Sequence, residues 1–122
     1  MLDARQYKSP QVCTRDGKRG SSAVNPSTCA AWNDPARTML GADQEHWLDT
    51  AWASTRGKPV AWNIVDQQSL IGQRNWKTGP EQSLWNDGWD GYSAARTRLT
   101  DSARKHSVVN LVVLGGDFTK IG

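Results

Sequence analysis

Two short apolar runs, residues 60–65 (VAWNIV) and 108–114 (VVNLVVL), each follow a stretch with helical periodicity, and this alternation constrains the chain more than any other feature. Short runs of that kind, rich in β-branched side chains, read as buried strands. The first helix is predicted to begin near Gly41 and to run for about fourteen residues. Asp43 and Glu45 fall in its first turn, where carboxylates complement the positive end of the helix dipole. Trp47, Leu48, Ala51 and Trp52 form one apolar stripe, while Arg56, Gly57 and Pro59 supply a basic last turn, a left-handed cap and a stop. The second helix is predicted over 92–106, with Tyr92, Ala95, Leu99 and Ala103 inward and Arg96, Arg98, Arg104 and Lys105 outward. Helix, strand, helix, strand is the rhythm of an α/β layer. Residues 1–7 are predicted as the end of one more strand, with Asp3 and Arg5 on one face and Tyr7 beyond them, which makes a β-α-β-α-β order with long loops.

The longest of those loops covers residues 8–38, where Pro10, Gly17, Gly20, Pro26 and Pro35 interrupt every candidate element. A connection of that length inside a compact domain is usually functional or disordered. Cys13 and Cys29 lie within it, and a bridge between them would restrict a stretch with little core of its own. Closing a loop of about fifteen residues is worth about 3 kcal/mol in the chain-entropy model. Two free buried thiols are the alternative; a zinc site is excluded by the lack of a CxxC or a nearby His pair. A second polar loop is predicted from Gln67 to about Gly88.

The aliphatic core must be thin, since only twenty of the 122 residues are Leu, Ile, Val or Phe. Seven tryptophans argue for a folded chain all the same, because disordered segments are poor in aromatics. Trp47, Trp52 and Trp62 are predicted on core faces, and Trp76, Trp85 and Trp89 in loops. The net charge of +3 arises in residues 1–20, where Arg5, Lys8, Arg15, Lys18 and Arg19 outnumber Asp3 and Asp16, while the remaining residues are balanced. A basic segment confined to one loop reads as a solvated face, not as the broad patch nucleic acid requires. No window approaches the roughly 18 apolar residues of a membrane span, and residues 1–20 carry no apolar run of a secretory signal.

Chemistry is concentrated at one strand end. Ligands of open α/β sheets bind beyond the carboxyl ends of the strands, and the run VVLGGD delivers Asp117 there, with Gly115 and Gly116 allowing close approach. Asp117 reads either as a ligand for a hard or borderline cation or as a turn-capping residue. His46 and His106 read as surface residues on the helices. Residues 86–91 (NDGWDG) lack the spacing and closing Glu of a calcium loop and read as a tight turn. No nucleotide-binding, zincin or nucleophile-elbow motif is present.

Five blocks in order carry a resemblance: LDARQYKSPQ at 2–11, DPARTMLGADQEHWL at 34–48, AWNIVDQQSLIG at 61–72, WDGYSAARTRL at 89–99 and NLVVLGGD at 110–117. The chain resembles an internal stretch of the catalytic domain of the PhoD-like alkaline phosphatases, across nearly all of residues 1–122. That resemblance implies a partial calcineurin-like α/β metallophosphatase sandwich, with 39–117 as its α/β part and 118–122 as a divergent tail. It also implies an exported hydrolase using iron and calcium to cleave phosphate mono- and diesters.

The family's strand-end motif continues from Gly-Asp through one residue to a His, and here that place holds Thr119, a residue unable to replace imidazole on iron. Asp117 is therefore the one metal ligand carried over, while Asp3, Arg5 and Tyr7 match the LDxRQY block without an assigned role. The resemblance leads to the expectation of a truncated, inactive form, marginally stable and prone to pair through exposed sheet edges. A reading from a different class is a small Trp-rich basic module that stacks on carbohydrate or single-stranded nucleic acid.

Overall fold

The structure is a computed structural model describing residues 1–14, 21–59, 61–69, 71–73, 75 and 82–115. Its elements are β1 (Ala23–Val24), α1 (Ala42–Ser54), β2 (Asn63–Asp66), β3 (Leu84–Trp85), α2 (Ser93–Lys105) and β4 (Leu111–Leu114), with 3-10 turns at Pro26–Thr28 and Trp89–Tyr92. β2 and β4 form a parallel pair in the register Asn63 to Leu111 through Asp66 to Leu114, and β1 pairs antiparallel with β3. The helices and strands expected in residues 41–114 are present in order as α1, β2, α2 and β4, with the two-residue β3 added between β2 and α2. The molecule is a mixed α/β arrangement of small sheets, and no helix among the described residues is long and apolar enough to cross a membrane.

The helices form where the pattern places them. α1 carries Asp43 and Glu45 in its first turn and ends before Gly57, which has φ 74 as a left-handed cap requires. Leu48 and Trp52 are its buried residues, and Ala95, Leu99 and Ala103 are those of α2. Together with Leu2, Ala4, Met39, Leu40, Val65, Trp89 and Tyr92 they make the main core, against which Leu111 and Val113 pack.

The strands depart from expectation. Side chains alternate across a strand, so Val65 faces the helices while Ile64, 62% exposed, faces outward. β2 and β4 are thus covered on one face among the described residues, not buried on both as continuous apolar runs suggest. Residues 1–7 are no strand either. Residues 4–7 form bends, and one backbone bond, from the Leu2 amide to the Asp66 carbonyl at 2.8 Å, holds the segment beside the end of β2.

Both predicted loops contain more structure than their composition suggests. Cys13 and Cys29 are bridged, which resolves the alternative of free thiols, and Cys29 joins Val24, Trp32 and Leu84 in a second small core. β3 interrupts the loop expected over 67–88, and every residue from Ser83 to Tyr92 is buried. The tryptophans sort accordingly. Trp52 is buried as expected, but Trp47 and Trp62 are 59% and 63% exposed, while Trp85 and Trp89 are buried. The indoles predicted for stacking are core residues; Trp76 lies outside the described residues.

Candidate functional site

Three segments meet at the carboxyl edge of the β2–β4 pair: the turn at residues 2–8, the chain leaving β2 and β4, and the turn at residues 86–91. Asp3 builds the first. Its carboxylate accepts the amides of Arg5 at 2.9 Å and Gln6 at 3.0 Å, an Asx-type turn. Its own amide donates to Gln44 Oε1, and its carbonyl accepts from Gln44 Nε2, both at 2.8 Å. The Ala4 amide donates to Gln68 Oε1 at 2.8 Å, so the turn is tied to both α1 and the end of β2.

Gln67 organises the second segment. Fully buried, it accepts from the Trp89 indole at 3.0 Å and from the Ser69 amide at 2.8 Å, and it donates to the carbonyls of Ser69 and Leu114. Gly115 passes so close that a side chain there would collide with Ser69 O and Gln67 Nε2. Close backbone approach, the reason given above for the glycine pair, thus holds for Gly115. Gly116, Asp117 and Thr119 lie outside the described residues.

The third segment carries an ion cluster that residue-by-residue reading passed over. Asp87, taken from the sequence as part of a tight turn, is 7% exposed. Its Oδ1 accepts from Lys8 Nζ and, at 2.7 Å, from Gln11 Nε2, while its Oδ2 lies 3.4 Å from both terminal nitrogens of Arg5. Burial alone would raise the Asp87 carboxyl; the hydrogen bonds from Lys8 and Gln11 and the charges of Lys8 and Arg5 outweigh it and hold the group below its ordinary value. Desolvation pulls the Lys8 ammonium down, against the pull of Asp87. Lys8, among the basic residues of this region, is therefore not part of a solvated face, while Arg15, Lys18 and Arg19 lie outside the described residues. Lys8 has its charge folded onto Asp87, while the Arg5 side chain remains 41% exposed. The signal for this was a basic surplus in residues 1–20 that Asp3 and Asp16 do not balance.

Behind the cluster, Arg37 stacks 4.3 Å from the centre of the Tyr92 ring and donates to the carbonyls of Gly91 and, at 3.0 Å, Pro10. The Tyr92 hydroxyl donates to Ser9 O at 2.5 Å. Turn 86–91 and the start of the long loop are thereby braced together.

Of the residues singled out from sequence, Asp3 and Arg5 belong to this edge, Asp3 through its turn and Arg5 through Asp87. Tyr7 is exposed, with its Cβ close to Gly41, whose φ is 83. His46 is exposed as expected, whereas His106 is buried against Asp49 and not on the surface. Among the described residues no group of three or more His, Cys, Asp or Glu is placed to hold a metal ion. Asp87 is occupied by cations, Cys13 and Cys29 by each other, and His106 by Asp49. This donor set does not fit an iron and calcium centre.

A family model described as PhoD-like phosphatase matches residues 1–120. Alkaline phosphatase D of Bacillus subtilis (strain 168) is 33% identical over 117 residues, which cover 96% of this chain and 18% of that protein. A solved structure of PhoD superposes with a TM-score of 0.74 and 31% identity, over 95% of this chain and 20% of that one. The chain thus spans under a quarter of the length of the relatives it matches.

Proposed function

Because the chain belongs to the PhoD-like phosphatase family, we propose that it serves the hydrolysis of phosphate mono- and diesters, and that its part in that reaction is to hold the anionic ester at the turn formed by residues 3–8. The observation that carries this reading is the state of Arg5, a guanidinium held at the carboxyl edge of β2 and β4 yet exposed and only loosely engaged by Asp87. A planar fork of donors suits phosphate oxygens, which it can meet bidentately. Lys8 has its charge committed to Asp87, so of these two described cations Arg5 is the one left to face substrate.

In ester hydrolysis the oxygen of water attacks phosphorus, the bond to the leaving alcohol breaks, and charge spreads over the phosphoryl oxygens. Arg5 binds and orients that charge. The calcineurin-like sandwich, the exported location and the iron and calcium implied by the resemblance belong to the same proposal, with Asp117 as a metal ligand. The Cys13–Cys29 bridge suits an oxidising compartment. Since the described donors do not fit the cations, no step is assigned to them, and the 122-residue chain on its own is expected to bind phosphate without turnover.

Calorimetric titration with inorganic phosphate and assay with p-nitrophenyl phosphate test the two halves. Saturable binding that Arg5→Ala removes is expected, with release of nitrophenol far below the ordinary enzyme range of roughly 1 to 1000 per second. Absence of phosphate binding by the wild-type chain would refute the assignment of Arg5.

A further inference from the structure

Resting on Arg5 as the anion-receiving group, we propose that Asp87 is a positioning residue, a buried carboxylate whose task is to hold the Arg5 guanidinium with its outer donors turned toward an incoming phosphoryl group. An arginine on an exposed turn samples many rotamers, and a ligand that fixes it must oppose that freedom. Asp87 removes much of it beforehand. Both terminal nitrogens of Arg5 lie at the same 3.4 Å from Oδ2, so the fork straddles a single oxygen. That distance is long for a charge-assisted bond, and it restrains the group without consuming its hydrogen-bonding capacity. A guanidinium has five N–H donors, and those pointing away from Oδ2 stay available.

The carboxylate is itself fixed. Lys8 and Gln11 take Oδ1, Lys8 Nζ also reaches the Asp87 carbonyl at 3.3 Å, and the neighbouring Asn86 is fully buried. Asn86 donates to Val12 O at 2.9 Å, accepts the Ser22 amide at 2.7 Å, and its amide donates to Ser22 O at 3.0 Å. Lys8 neutralises Asp87 from one side while Arg5 rests on the other, so the cluster remains cationic where it opens to solvent.

This role has a consequence opposite in sign to that of charge alone. Asp87 is a negative charge near the place of the phosphate and repels it, so by Coulomb's law alone its removal should tighten phosphate binding. If Asp87 positions Arg5, its removal weakens binding. The test is a titration of the 122-residue chain with inorganic phosphate at low ionic strength, wild type against Asp87→Asn, alongside the NMR signal of the Arg5 Nε–H. The variant is expected to bind about tenfold more weakly, on the order of one lost charge-assisted contact, and its Arg5 signal to collapse toward that of a free side chain. Asp87→Glu carries the test if Asp87→Asn does not fold: a carboxylate displaced by one methylene is again expected to weaken binding. Equal or tighter binding by the folded variant overturns the role of Asp87 while leaving Arg5 in place. A wild-type chain that does not bind phosphate removes both.

Discussion

The Nε2 of His106 lies 2.9 Å from Oδ1 of Asp49, the same oxygen that accepts the Ser102 hydroxyl at 2.5 Å. One turn earlier on each helix, Arg98 Nε donates to Glu45 Oε1 at 2.6 Å. α1 and α2 are thus joined by a polar ladder that begins where α1 enters the fold and ends where α2 leaves it.

The ladder makes acid stability depend on Asp49. The Ser102 hydroxyl first, and His106 next, hold its carboxyl below the ordinary value. A carboxyl depressed in the folded state stabilises the fold above its unfolded pKa of about 3.9, and that stability is lost as pH falls through the folded value. Urea midpoints measured from pH 6 down to pH 2 should decline, and Asp49→Asn should flatten part of the decline, leaving the part that Asp87 contributes in the same direction. An acid limb of unchanged depth in the variant would show that Asp49 is not coupled to folding.

The bridge between Cys13 and Cys29, sixteen residues apart, closes a loop whose two arms are held by Asn86 through Val12 and Ser22. Reduction, or the double substitution Cys13→Ser with Cys29→Ser, is expected to cost about 3 kcal/mol from the released entropy of the unfolded loop. Denaturant melts with and without reductant measure it, and coincident curves would contradict the estimate.

The helices were legible in the sequence because Leu48 with Trp52, and Ala95 with Leu99 and Ala103, repeat at helical spacing. Gly57 announced its own backbone. The fates of Trp62 and Trp89 were not legible for a common reason: burial of an indole depends on what packs across from it, and composition reports only the residue itself. Trp62 sits in an apolar run on the open side of β2, while Trp89 sits among Gly and Asp but inserts beneath Gln67. Asp87 was hidden in the same way. A DG pair reads as a turn, and only the long-range contacts to Arg5, Lys8 and Gln11 reveal a buried carboxylate.

Those two tryptophans should respond oppositely to truncation. Trp89 is 1% exposed and bonded through its indole nitrogen, so Trp89→Ala is expected to destabilise by roughly 3–5 kcal/mol. Trp62 is 63% exposed, and Trp62→Ala should stay within about 0.5 kcal/mol. Equilibrium unfolding of both variants decides the matter; similar losses would mean that the outer face of β2 is covered.

At alkaline pH Tyr92, which has no exposed surface and lies beneath Arg37, is the described group whose ionisation burial opposes. Burial pushes its phenol up to about 12, with the charge of Arg37 pulling the other way. An unfolded tyrosine ionises near 10, so the unfolded chain releases its proton first. The stabilisation is therefore complete below about pH 10 and is lost as pH rises from there through about 12. Lys8 works in the opposite sense, because burial lowers its pKa and folding becomes less opposed once its proton is gone. Comparing Tyr92→Phe with wild type isolates the tyrosine. The variant should lose about 1 kcal/mol near pH 7, from the missing hydrogen bond to Ser9 O, and show a shallower decline above pH 10. Parallel declines for the two proteins would assign the alkaline limb to some other group.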